Sequence, residues 1–99
     1  MTTSATETTA PLATSVALSE DTLTVDLADG RSVSVPLAWF PRLLHATPAE
    51  RSAWKLIARG EGIHWPQVDE DISVASLIAG NPSRESAASL RRWLADRKA

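Results

Sequence analysis

The stretch from Thr22 to Val35 constrains this chain more than any other. Thr22-Leu-Thr-Val-Asp-Leu alternates polar and apolar residues, Ala28-Asp-Gly-Arg supplies an Asp-Gly turn, and Arg31-Ser-Val-Ser-Val resumes the alternation. Period-two alternation on both sides of a residue pair that tolerates left-handed backbone spells an antiparallel β-hairpin. An earlier alternating piece, Ser15-Val-Ala-Leu-Ser, joined through Glu20-Asp21, extends it to a three-stranded meander. Val16, Leu18, Leu23, Val25, Leu27, Val33 and Val35 then share one face. With 99 residues there is material for one domain and one modest core, so helices must cover that face.

The cover is encoded next. Pro36 ends the strand because it has no N–H for the ladder, and Ala38 to His45 reads as a short helix with Pro41 in its first turn. Trp39, Phe40, Leu43 and Leu44 are expected to face the sheet. Thr47-Pro-Ala-Glu is a capping box, with Thr47 as N-cap, Pro48 at the first helical position and Glu50 reaching back. The helix it starts is predicted to run from Pro48 to about Ala58, with Ala53, Trp54 and Ile57 as its apolar stripe. Gly60 and Gly62 stop it. Gly62-Ile-His-Trp is placed as a fourth strand returning beside the hairpin and ending at Pro66. Asp69-Glu-Asp-Ile-Ser leads into a short helix over Val74 to Ala79, closed by Gly80. Asn81 or Ser83 then caps a last helix to about Arg97, with Ala87, Leu90, Trp93 and Leu94 on one side. The expected fold is α+β: a small antiparallel sheet of three or four strands covered by short helices, with a C-terminal helix. Residues 1–14, rich in Thr, Ser and Ala, are expected to be a disordered tail. Residues 15–80 form the domain and 81–99 the terminal helix.

Composition removes whole classes of function. The chain has no cysteine, which excludes disulfides, thiolate metal sites and a cysteine nucleophile. No run approaches a membrane span, and the N-terminus lacks the basic start and apolar centre of a signal peptide, so a cytoplasmic protein is expected. Arg59-Gly-Glu-Gly lacks the spacing and the Lys-Ser/Thr pair of a phosphate loop. The serines have no nucleophile elbow. Neither an enzyme nor a cofactor is expected.

The order of the Asp-Gly hairpin, Val35-Pro-Leu-Ala-Trp-Phe-Pro-Arg-Leu, the Thr47-Pro-Ala-Glu-Arg helix, Gly62-Ile-His-Trp-Pro and Asp69-Glu-Asp-Ile-Ser-Val resembles the bacterial domain of unknown function family 2442. The resemblance covers roughly residues 18 to 80. It implies a small α+β protein of bacterial or phage origin that is neither hydrolase nor transferase. It also implies pairing with a small neighbouring protein in a toxin–antitoxin-like arrangement. Some longer relatives add a helical DNA-binding domain at the C-terminus, whereas here only Asn81 to Ala99 remain, too little for a helix-turn-helix.

The net charge of −2 is unevenly spread, with acidic strands alternating with basic helices. Such segregation either neutralises itself within the fold or marks partner-facing surfaces. The acidic run Asp69, Glu70, Asp71 and the aromatic Trp93 are the candidates for contact with a small protein partner. Aromatic rings beside arginine are the composition of interface anchors, although Trp93 could equally pack on the core. Arg84, Arg91 and Arg92 are the candidate phosphate contacts of an alternative reading, a dimeric DNA-binding regulator. A homodimer through an open sheet edge or Trp93 is compatible with both readings. His64 beside the acidic run matches no metal-ligand spacing and reads as structural, as does His45 at a helix end.

Overall fold

The computed structural model describes residues 11–98, so residues 1–10 of the expected tail lie outside the described residues. The meander forms as its alternation dictates: β1 (Ala13–Leu18), β2 (Thr22–Leu27) and β3 (Ser32–Pro36) are antiparallel in the order β1-β2-β3. Its first strand starts at Ala13, two residues before the expected boundary. Val16 lies opposite Val25 and Leu18 opposite Leu23, with Leu23 opposite Val35 and Val25 opposite Val33. All seven expected residues therefore share the inner face. At the Asp-Gly turn Gly30 adopts φ +97°, and the Asp29 carboxylate accepts from the Arg31 N–H at 3.0 Å.

After Pro36 the chain makes a single 3₁₀ turn (Leu37–Trp39) and then α1 (Pro41–Leu44), with Pro41 in the first turn. Phe40 and Leu43 are buried as expected. Leu37 is fully buried as well, whereas Leu44, expected to face the sheet, points outward. The capping box at Thr47 forms in full and starts α2 (Pro48–Ser52).

There the expected helix stops short. Lys55–Ile57 is a strand, β4, which pairs with β5 (Gly62–Trp65); β5 in turn pairs with β6 (Glu70–Ser73). A helix continuing past Ser52 would bond the Arg51 carbonyl to the N–H of residue 55. Instead that carbonyl accepts from the Trp65 indole Nε1 at 3.0 Å. Trp65 is fully buried, so its N–H needs a partner, and the helix end supplies one. The strand at Gly62 accordingly does not return beside the hairpin. Among the described residues the chain forms a second antiparallel sheet, ordered β4-β5-β6, which gives its own apolar face to the core. Glu70 and Asp71 of the acidic run consequently lie in strand β6, which leads directly into the helix expected at Val74.

Ser73 caps α3 (Val74–Ile78), its hydroxyl accepting from the Ser76 N–H. The last helix, α4 (Ala87–Lys98), begins later than Asn81 or Ser83 would place it. Its first turn is bonded by Ser86, whose hydroxyl accepts from the Ser89 N–H at 3.0 Å. One apolar cluster unites the two sheets and the helices: Leu23, Val25, Leu37, Leu43, Ile63, Trp65, Val68, Val74 and Leu77 are all shielded from water. Burying each such side chain contributes about 1.5–3 kcal/mol, so this shared cluster is what joins the sheets into one unit.

The β4–β5 connection is tight. Ala58 (φ +51°), Arg59 (φ +58°) and Gly60 (φ +98°) are all left-handed, and Gly60 abuts the start of β1. A Cβ on Gly60 would lie 2.7 Å from the Ala13 carbonyl oxygen, a backbone atom that cannot step aside without breaking β1. Gly60→Ala should therefore destabilise the fold by at least about 2 kcal/mol in urea unfolding. Arg59→Gly, which only relieves a left-handed side chain, should stabilise it by about 0.5–1 kcal/mol.

Candidate protein-binding surfaces

Strand alternation divides the acidic run. Across the second sheet, His64 lies opposite both Lys55 and Asp71, while Trp65 lies opposite Glu70. Asp71 therefore shares the outer face with His64 and Lys55, and Glu70 shares the inner face with buried Trp65. The His64 imidazole Nδ1 is paired with the Asp71 carboxylate across the strands. Asp69 stands just before β6 in a left-handed conformation, φ +54°, with its side chain 86% exposed. Among the described residues no cluster of three or more His, Asp and Glu side chains is disposed to hold a metal ion.

Arg42, on α1, organises the space beneath this run. Its Nε donates to Glu85 at 2.9 Å and its Nη2 to the other Glu85 oxygen at 2.6 Å, a bidentate pair. Its Nη1 donates to the carbonyls of Val68 (3.1 Å) and Asp69 (3.3 Å), fixing the turn that enters β6. Both partners of the ion pair are largely removed from solvent, and Ser89 on α4 adds a hydroxyl donor to Glu85 at 2.8 Å. These bonds hold the Glu85 carboxyl below its ordinary value, with Arg42 as the largest cause.

Glu70 has the opposite environment. Burial, reinforced by the Glu85 charge and only partly offset by Arg42, pushes its carboxyl up to about 7. It borders two open hollows. One, of about 280 Å³, is lined by Arg42, Asp69, Glu70, Ser83, Glu85 and Ser89. The other, of about 420 Å³, runs past Phe40, Asp71, Ser76 and Arg84.

Trp93 is held within the molecule. Two guanidinium groups lie over its ring, Arg97 at 4.6 Å and Arg42 at 5.2 Å from the centroid, and the residue packs against the core. Arg97 in turn donates to both oxygens of Glu50 at 2.8 and 3.0 Å. One of those oxygens also accepts from the Thr47 N–H at 2.8 Å. Glu50 thereby closes the cap of α2 and ties down α4, and its carboxyl falls to about 2, with Arg97 the main cause. Trp93 makes the core packing that the sequence allows it, and it stays partly exposed. Arg84, Arg91 and Arg92 are exposed and make no ion pair among the described residues; Arg91 and Arg92 are on α4, whereas Arg84 lies in the segment before it.

The sequence does not point to Arg42, Glu85 and Arg97, nor to the pairing of Glu50 with α4. The only local signal was the capping box for Glu50. The partners are 43 and 47 residues apart, and no short-range pattern joins them.

The family described as "Protein of unknown function (DUF2442)" matches residues 13–83. A crystal structure of a protein of unknown function from Rhodospirillum rubrum is similar, with TM-score 0.66 and 27% identity over 81% of this chain and 96% of that one. The solution structure of an uncharacterised protein from Chromobacterium violaceum shares the fold, with TM-score 0.62 and 24% identity over 87% of this chain and 75% of that one. No curated protein matches the chain. Among the described residues no helix is long and apolar enough to cross a membrane.

Two predictions rest on this geometry. Because Glu70 holds its proton up to about pH 7 in the fold but only to 4.5 when free, stability should fall as pH rises between those values. Glu70→Gln should abolish that slope, adding roughly 1–2 kcal/mol at pH 8, since solvent screens the exposed part of the carboxyl, and almost nothing at pH 4 in pH-dependent urea melts. Arg42→Lys keeps the charge but loses the fork that grips Glu85. It should release α4, seen as increased amide exchange in 87–97, while exchange in β2 stays slow.

Proposed function

The chain belongs to the DUF2442 family, whose function is unknown, and from its own geometry we propose that it is a non-catalytic protein-binding module. Its leading contact surface is the acidic corner at the start of β6, and its partner is a small protein, antitoxin-like pairing being the arrangement the family resemblance suggests. One observation carries this reading: the hollow beneath the corner gathers the carboxylates of Asp69, Glu70 and Glu85 around the single cation Arg42. Arg42 is committed to Glu85 at 2.6 Å and reaches the Asp69 carboxylate only at 3.9 Å, so three carboxyl groups share one guanidinium. A lysine or arginine from a partner would complete the set.

The Glu70 proton sharpens the expectation. A cation brought beside a carboxyl that titrates near 7 favours its ionised form, so binding should release a proton and tighten as pH rises from 6 to 8. The alternative, a DNA-binding regulator using Arg84, Arg91 and Arg92, draws on their exposure alone. The two readings separate cleanly. Tagged full-length protein purified from its native host should retain one defined small protein, and Asp69→Lys with Asp71→Lys should lose it. Retention unchanged by these substitutions would remove the acidic corner from the reading. DNA binding would instead appear as a gel shift at low salt that survives Asp69→Lys and is lost in Arg91→Ala with Arg92→Ala.

A further inference from the structure

Among the described residues each of the two sheets has two edges, and three of the four edge strands carry a charge or proline that discourages pairing. Pro36 is in β3, Lys55 is in β4, and Glu70 and Asp71 are in β6. β1, with the sequence Ala-Thr-Ser-Val-Ala-Leu, carries neither. Its outer backbone groups can be assigned. The Ser19 N–H donates to the Thr22 carbonyl at 2.9 Å, which makes Ser19 and Thr22 a hydrogen-bonded pair of the ladder. Alternation then turns Ala17 and Ser15 toward β2, while the N–H and C=O groups of Val16 and Leu18 point away from the sheet. Among the described residues no hydrogen bond is made to those outward groups.

They open into a groove of about 410 Å³. Consecutive residues Val16 to Glu20 form one side, and Pro48, Arg51, Ser52 and Trp54, from α2 and the turn after it, form the other. Trp54 is only partly buried and lines the groove.

We propose that this groove receives an extended segment of a partner polypeptide, which adds to β1 as a fourth strand. The unpaired groups are backbone donors and acceptors at strand spacing, and another extended backbone matches them. Pro48 and Trp54 face the edge across the groove, so the incoming strand lies alone between two walls. A second folded copy would bring its own β2 and α2 against that wall. A five-residue edge also falls far short of the roughly 800 Å² per partner that a stable dimer buries. Side-chain chemistry follows from the lining. Apolar residues at alternate positions meet Leu18 and Trp54, an acidic residue meets Arg51, and a basic residue meets Glu20. This contact is separate from the acidic corner and does not depend on it.

The probe is the synthetic peptide Lys-Val-Thr-Val-Thr-Val-Asp with blocked ends, titrated into the ¹⁵N-labelled full chain. Binding should shift the Val16 and Leu18 amides and the Trp54 indole, and slow the exchange of both amides at least tenfold. Methylating every backbone amide of the probe should weaken binding at least tenfold, and Trp54→Ala should do likewise. Asp69→Lys, which disables the acidic corner, should leave it unchanged. The proposal is overturned if the methylated probe binds as well, if the shifts fall outside residues 15–20 and 48–54, or if nothing binds at millimolar peptide. It is equally overturned if Val16 and Leu18 are already protected in the free chain, through a copy of β1 at high concentration or through residues 1–10 until these are deleted.

Discussion

The guanidinium of Arg42 is the point on which separate parts of this small protein converge. It sits on α1, grips Glu85 in the segment before α4, holds the Val68 and Asp69 carbonyls at the entrance to β6, and faces the Trp93 ring. Arginine suits this position because its planar fork directs several donors at once without losing its charge. Removing one member of such a shielded pair leaves the other charge uncompensated, which costs about 3–5 kcal/mol. The docking of the C-terminal helix and the shape of the acidic corner therefore share one support.

The same support explains why neighbouring carboxyls behave so differently. Glu85 receives two guanidinium donors and a serine hydroxyl, and is held ionised. Glu70 gains only a part of the same cation's field while losing water, and is held protonated toward neutrality. Glu50, bonded to Arg97 and to its own helix cap, is likewise held ionised. Burial raises Glu70, whereas hydrogen bonds from Arg42 and Arg97 lower Glu85 and Glu50. A corner that carries a protonated carboxyl at rest is poised to change charge when a cation arrives.

Much of the architecture was legible because it depends on neighbours in the chain. The alternation of Thr22 to Leu27, the Asp29-Gly30 turn and the Thr47-Glu50 box each act within a few residues, and each appears as expected. The length of the helix after Thr47 was not legible, because a distant indole decides it: Trp65 takes the carbonyl of Arg51. Ala53, Trp54 and Ile57 fit a helical stripe in the sequence, but Leu56 and Ile57 instead lie beside Ile63 and Gly62 in a ladder. The acidic run was visible as a run, yet its division into outward Asp71 and inward Glu70 needed strand register.

The sequence by itself therefore determined the meander, the helix start at Thr47, the α+β class and the family, since these rest on periodicity, turn chemistry and caps that operate over a few residues. Only the tertiary structure decided that a second sheet exists, that Arg42 and Arg97 both lie over the Trp93 ring, and that β1, among the described residues, has an unpaired edge beside Trp54. The physical reason is one of range. Ion pairs across 43 and 47 residues, and a buried indole needing a hydrogen-bond partner, act through space, where sequence separation carries no weight.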